Sequence, residues 1–159
     1  MAHTHYKGTG KVHSFKGSLV DGEQDSINIQ GSIGAIAWRI TKFDIFPAEP
    51  GVENYESIVQ IWREQQGAPS TTAITVAFND SELLAAAYYN HYQSAASGNV
   101  ALVVSFDNQL FVRDIFITHT NVGGTADMNY YIELEEVTVS AVGRAQLAVA
   151  AARRTGDTS

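Results

Sequence analysis

Residues 109–139, QLFVRDIFITHTNVGGTADMNYYIELEEVTV, decide the fold. Two runs rich in β-branched and aromatic residues, 109–119 and 129–139, flank the connection 121–128, which has Gly123-Gly124 at its centre. In the second run Tyr130, Ile132 and Leu134 recur at every other position, which sends them all to one face of an extended chain. Val137 and Val139 fall on the opposite phase. The alternation slips at Glu135-Glu136, the mark of a β-bulge. The segment therefore predicts two strands of a sheet.

Working outward, 99–106 (NVALVVSF) predicts a third strand, with Asp107-Asn108 as a two-residue hairpin turn that lacks the usual glycine. In 33–46 (IGAIAWRITKFDIF) Ile36, Trp38 and Ile40 alternate with Ala37, Arg39 and Thr41, a strand that ends where Pro47 and Pro50 begin. Residues 54–66 carry two readings. Ile58, Ile61 and Trp62 fit a helical stripe, while the β-branched centre SIVQIW favours a strand. Thr72, Ile74, Val76 and Phe78 alternate in a further predicted strand over 71–78. Residues 81–95 (SELLAAAYYNHYQSA) predict the one helix, at about 80–95. Asn79-Asp80-Ser81 offers a cap, Glu82 suits the helix dipole, Leu84, Ala87, Tyr88 and His91 share a face, and Gly98 follows as terminator.

The expectation is a mainly β fold, a β-sandwich or jelly-roll-like domain with that helix and extended terminal arms. The 159 residues fit one domain. Residues 1–30 read as an N-terminal extended arm, 31–140 as the β-sandwich body and 141–159 as a weakly helical, alanine-rich C-terminal tail. Within 1–20, where a short edge hairpin is the other reading, Lys7, Lys11 and Lys16 are the only formal charges and Gly8, Gly10 and Gly17 punctuate the chain. Deleting residues 1–20 is expected to leave a folded domain.

Hydrophobic residues at 45% and charged residues at 17% place the chain among globular proteins. A net charge of −7 disfavours nucleic acid and anionic membranes as partners. With no cysteine there is no disulfide, thiolate metal site or cysteine nucleophile. No run of 18 apolar residues predicts a membrane span, and the polar Met1–Gly10 is not expected to act as a secretory signal.

The candidates for chemistry each meet a plainer explanation. His3 and His5, with His13, have zinc- or nickel-binding character, but the segment is too polar to brace a site. Asp21, Glu23 and Asp25 alternate like calcium ligands, without the Gly and Glu of an EF-hand; 121–127 is a similar candidate. Glu133, Glu135 and Glu136 lie along one strand, whereas glycoside hydrolysis needs carboxyls across a cleft. Ser105, Ser140, His91 and Asp80 supply triad residue types with no G-x-S-x-G elbow. No phosphate loop is present. No catalytic residue, cofactor or metal is expected, and the chain does not read as an enzyme. Trp38, Trp62, Tyr88-Tyr89 and Tyr130-Tyr131 remain as aromatic candidates for a carbohydrate-binding module, one member of each tyrosine pair being expected in the core.

The stretches DIFPAEPGVENYESIVQIWREQQ (44–66), VAFNDSELLAAAYY (76–89) and LFVRDIFITHTNVGGTADMNYYIELEEV (110–137) resemble small virion structural proteins of tailed bacteriophages. Asp114–Thr120 followed by Asn129–Glu135 is the most specific part. The resemblance covers residues 44–87 and 110–139, carries no active-site residues, and leaves 1–30 unmatched. It implies a non-enzymatic protein made in the host bacterial cytoplasm and carried in the virion. The leading expectation is a capsid decoration (cement) protein on the outside of the shell, with the major capsid protein and further copies of itself as partners. Lys7, Lys11, Lys16, Arg144, Arg153 and Arg154 are the candidate coat contacts. A tail-tube or head–tail connector subunit is the alternative reading. A small β-barrel enzyme, built on Glu133, Glu135, Asp127 and His119, is the remaining one.

Overall fold

A computed structural model describes residues 7–29, 36–51, 54–71, 74–91, 101–122 and 125–140, together with 142–143, 145–147 and 149 of the C-terminal tail. The elements run β1 (Lys7–Leu19), β2 (Gln24–Ile27), β3 (Ile36–Pro47), β4 (Tyr55–Trp62), α1 (Ala68–Thr71), β5 (Leu83–His91), β6 (Ala101–Phe106), β7 (Ile115–Asn121) and β8 (Met128–Thr138). They form two antiparallel sheets, ordered β1-β8-β3 and β2-β7-β4-β5-β6. The expected mainly β, sandwich-like architecture is present.

The core lies between the sheets. Tyr130, Ile132 and Leu134 of β8 meet Ile115 and Ile117 of β7 and Val59 and Ile61 of β4, all buried. Alternating residues in both sheets supply this layer, as period two requires. A smaller cluster joins Ala37, Val137 and Val139 to Leu110, Val112 and Leu147.

The predicted helix at 80–95 is corrected. Leu83–His91 is strand β5, paired with β4 on one side and β6 on the other. Two ladders satisfy its backbone, and this outweighs the helix preference of Leu-Ala-Ala-Ala. The alanines have another cause. Ala85 and Ala87 join the core, while Ala86 is buried on the opposite face, so both faces of β5 are covered there and side chains must be small. β4 shows the same double burial, with every position but Glu56 buried, Ser57 and Gln60 included. On the outer face Trp62 Nε1 donates to Thr118 Oγ1 of the neighbouring β7 at 3.0 Å, and α1 packs over β7, where Thr120 Oγ1 donates to the Thr71 carbonyl at 2.6 Å.

The N-terminal arm is also corrected. β1 pairs with β8 from Lys7 opposite Thr138 to Leu19 opposite Met128. It is an edge strand of the body, so removing residues 1–20 would strip a strand from the sheet. Its glycines serve that pairing. A Cβ at Gly17 would lie 2.6 Å from the Tyr130 hydroxyl, one at Gly8 would collide with the Glu135 carboxylate, and Gly10 has φ of 80°. The bulge predicted at Glu135-Glu136 is corrected: β8 pairs with β3 without a break from Leu134 to Thr138, Val137 and Val139 are buried in the second cluster on the opposite face, and the register shifts fall in β1 between Gly8 and Val12 and in β3 between Ile40 and Lys42.

Three further expectations change. Asp107-Asn108 does not join neighbouring strands, because β6 pairs with β5 and the chain crosses to β7 elsewhere in the sheet. Phe111, expected inside a strand, instead bridges to Trp38 in the other sheet, with both N–H groups donating to carbonyls at 2.8 and 2.9 Å. Residues 74–77 belong to no strand. The described part of the tail is helical, as expected, but it is not an extended arm, since Leu147 packs on the second cluster.

Candidate functional site

The most enzyme-like arrangement is one the sequence reading did not assemble. β4 and β7 run side by side with Ser57 opposite Asn121 and Val59 opposite His119. Ser57, Val59, His119 and Asn121 therefore face the core at one end of the sandwich. His119 Nε2 lies 3.0 Å from Ser57 Oγ, and His119 Nδ1 lies 3.0 Å from the Leu19 carbonyl. A carbonyl only accepts, so Nδ1 carries the proton and Nε2 accepts from Ser57. Asn121 Oδ1 takes the Glu56 N–H at 2.9 Å and lies 3.1 Å from Ser57 Oγ, and Asp21 Oδ1 takes the Asn121 N–H at 2.8 Å. Burial pushes the imidazole below its ordinary pKa, against the opposing pull of the Leu19 and Val20 carbonyls and of Asp21 and Asp127.

This serine–histidine pair has the distances of a nucleophile and its base, yet both side chains are fully buried. It closes the sandwich where β1 hands over to β2: Gly22 N–H donates to His119 O and His119 N–H to Glu23 O.

The predicted candidates are dispersed or engaged. Ser105 pairs with Ala86, five positions along β5 from His91, so the triad types do not meet. Glu135 takes two donors from Arg39 at 2.8 and 3.1 Å, Glu136 lies 3.1 Å from His13 Nε2, and Glu133 accepts the Tyr131 hydroxyl at 2.8 Å. The acids of 21–25 close turns and contacts: Glu23 takes the Val20 N–H, and Asp25 takes the Tyr130 hydroxyl at 2.6 Å. Burial and then Asp25 hold that phenol well above the ordinary tyrosine pKa. Among the described residues no three His, Asp or Glu side chains gather as a metal site, and no helix is long and apolar enough to cross a membrane. His3 and His5 lie outside the described residues. Both tryptophans are buried, Trp38 against His13 with ring centroids 5.0 Å apart, so neither offers a sugar platform. Tyr89 and Tyr130 are in the core and Tyr88 and Tyr131 are nearer the surface, as expected.

Of the candidate coat contacts, Lys11 and Lys16 are exposed on β1, while Arg144, Arg153 and Arg154 and the Lys7 side chain lie outside what the structure describes. Lys16 borders an open trough of about 500 Å³ on the outer face of the three-stranded sheet. Register explains the trough. Lys16, Tyr131 and Asp44 form one rung, and Ser18, Asn129 and Phe46 form an outward rung two residues on. The small Ser18 and Asn129 leave a hollow between Tyr131 and Phe46, which is 63% exposed. Lys42 lies 3.6 Å from Asp44 and 5.6 Å from the centre of the Tyr131 ring, whereas Lys16 has no ion pair among the described residues.

A second exposed surface lies on the five-stranded sheet. The extended residues 74–78 overhang it, and Ile74, Val76, Tyr88 and Val103 line a groove of about 460 Å³. Phe78 is 72% exposed and Val103 61%. No Asp, Glu, Lys or Arg occurs between Glu82 and Asp107. Apolar alternation in 71–78 was legible in the sequence, but a partner-less segment cannot be told from a paired strand by periodicity.

No protein-family profile matches this chain, and no curated protein matches it.

Proposed function

We propose that this protein is a non-enzymatic bacteriophage virion structural protein, a decoration protein that binds the outer surface of the capsid and ties coat subunits together. The observation that carries the reading is the trough beside Lys16. It pairs Lys16, which has no ion pair among the described residues, with an exposed Phe46 and the Tyr131 ring on the three-stranded sheet. Such a patch suits an acidic, partly apolar protein surface. The sealed Ser57–His119 pair supports a structural role over a catalytic one. Docking then uses the face of the sheet and the Lys16 end of β1, in place of a detached arm.

Sedimentation of the purified protein with mature phage heads tests this. Saturable binding at a fixed ratio to coat protein is expected, and the double change Lys16→Glu, Phe46→Ser should weaken it about 10-fold or more while leaving the fold intact. If heads leave the protein in the supernatant, the decoration reading fails. Spontaneous rings or tubes in the same preparation would then favour the tail-tube or connector role.

A further inference from the structure

Among the described residues four strands end the two sheets, and three of them carry features that block pairing with another chain. β1 bears exposed Lys11 and Lys16 and a register shift. β2 has four residues and carries Asp25. β3 carries Arg39, Lys42, Asp44 and Pro47. Lysine, shortness, bulges and proline are the usual protections of a sheet edge. β6, ALVVSF, has none of them.

Its backbone is also set for pairing. The Asp107 N–H donates to the Leu84 carbonyl at 2.7 Å. Counting back through Phe106 opposite Ala85, Ser105 opposite Ala86 and Val104 opposite Ala87, Ser105 and Val103 turn their backbone groups toward β5. Leu102, Val104 and Phe106 turn theirs outward, and no described residue pairs with them. Val104 packs against the core, so Leu102 and Phe106, two residues to either side, share its face. They remain 53% and 43% exposed.

We propose that β6 pairs antiparallel with β6 of a second copy of this chain about a twofold axis at Val104. That register places Val104 opposite itself and Leu102 opposite Phe106 of the second copy. It makes roughly six backbone hydrogen bonds. It also creates two apolar Leu–Phe cross-strand contacts on the core side of one continuous sheet. Charge selects the occupant. Each chain carries −7, so two copies repel except where they meet through uncharged surface. β6 lies in the charge-free stretch between Glu82 and Asp107. An isologous contact needs a self-complementary patch, and this edge is one.

The test is sedimentation velocity with light scattering on the full chain, without phage heads, so that it stands apart from shell binding. The wild type should be a dimer. Leu102→Lys, at an exposed side chain, should raise the dimer dissociation constant about 100-fold with an unchanged circular dichroism spectrum. Leu102→Pro removes an outward N–H and no bond to β5, and should act likewise. Val12→Lys makes a comparable change on β1, where Val12 is also exposed, and should leave the dimer intact. A monomeric wild type overturns the proposal. So does a dimer that survives both Leu102 changes, one that Val12→Lys also dissociates, or a polymer formed without a dimer step.

Discussion

Replacing His119 with alanine probes the polar contact that joins the two sheets at the β1–β2 turn. The ring is fully buried, and its removal leaves a cavity beside Ser57 and strips the Leu19 carbonyl of its donor. Truncating a large buried side chain costs about 2–5 kcal/mol. An orphaned buried carbonyl adds about 1–3 kcal/mol. Ser57 keeps Asn121 Oδ1 as an acceptor, so the hydroxyl adds no third penalty. The combined loss should fall at about 3–8 kcal/mol. Urea unfolding measured near neutral pH and again near pH 5 gives both the loss and its pH dependence. Burial lowers the folded pKa of His119, so between the ordinary value of 6.5 and that lower value the unfolded chain holds a proton that the folded chain excludes. The contribution of His119 is complete above 6.5 and declines as pH falls toward the folded pKa. The wild type should therefore lose stability on acidification more steeply than His119→Ala. A loss below about 1 kcal/mol, or identical pH slopes, would refute the sealed-contact account.

Tyr130→Phe removes the hydroxyl that donates to Asp25 and should cost about 1–2 kcal/mol by urea unfolding. Its raised pKa also means that the folded state keeps a proton the unfolded state releases above pH 10, so stability should decline as pH rises past 10, and less so in Tyr130→Phe. Gly17→Ala forces that hydroxyl aside and should cost about 1–3 kcal/mol; a neutral result would place the β1–β8 register elsewhere. Arg39→Ala breaks a partly buried ion pair with Glu135 and should cost about 1 kcal/mol, measured by thermal melting and reduced by salt if the pair acts through charge. Tryptophan emission should be blue-shifted in the native protein, since Trp38 and Trp62 are both buried; emission near that of free indole would contradict the fold.

Strands with one covered face were legible in the sequence. β3 and β8 alternate because most of their outer side chains meet solvent or polar neighbours; Glu135-Glu136 only resembled a slip, because Val137 and Val139 are buried on the opposite face by a second cluster. β5 was not legible, because burial on both faces erased its alternation and left alanines that favour a helix in isolation. β1 was hidden for another reason. Its glycines look like flexibility, yet they are fixed by Tyr130 and Glu135, residues more than a hundred positions away. The Ser57–His119 pair required the β4–β7 register, and no local pattern in either strand announces it. Lys16 was found by its isolated charge, while the hollow beside it depended on Ser18 and Asn129 falling on one rung.

The pairing of the first strand with the last has a mechanical consequence. Lys7 lies opposite Thr138, so the start of β1 and the end of β8 lie side by side at one end of the three-stranded sheet. Tension between those ends loads the β1–β8 ladder rung by rung, in the direction of a zipper, and among the described residues β1 has no ladder neighbour except β8. The same ladder pulled along its length would share the force over every rung at once. A load applied through those two strand ends would open the ladder easily. Spread across the face of the three-stranded sheet, the same load falls instead on packed side chains, and the ladder stays closed.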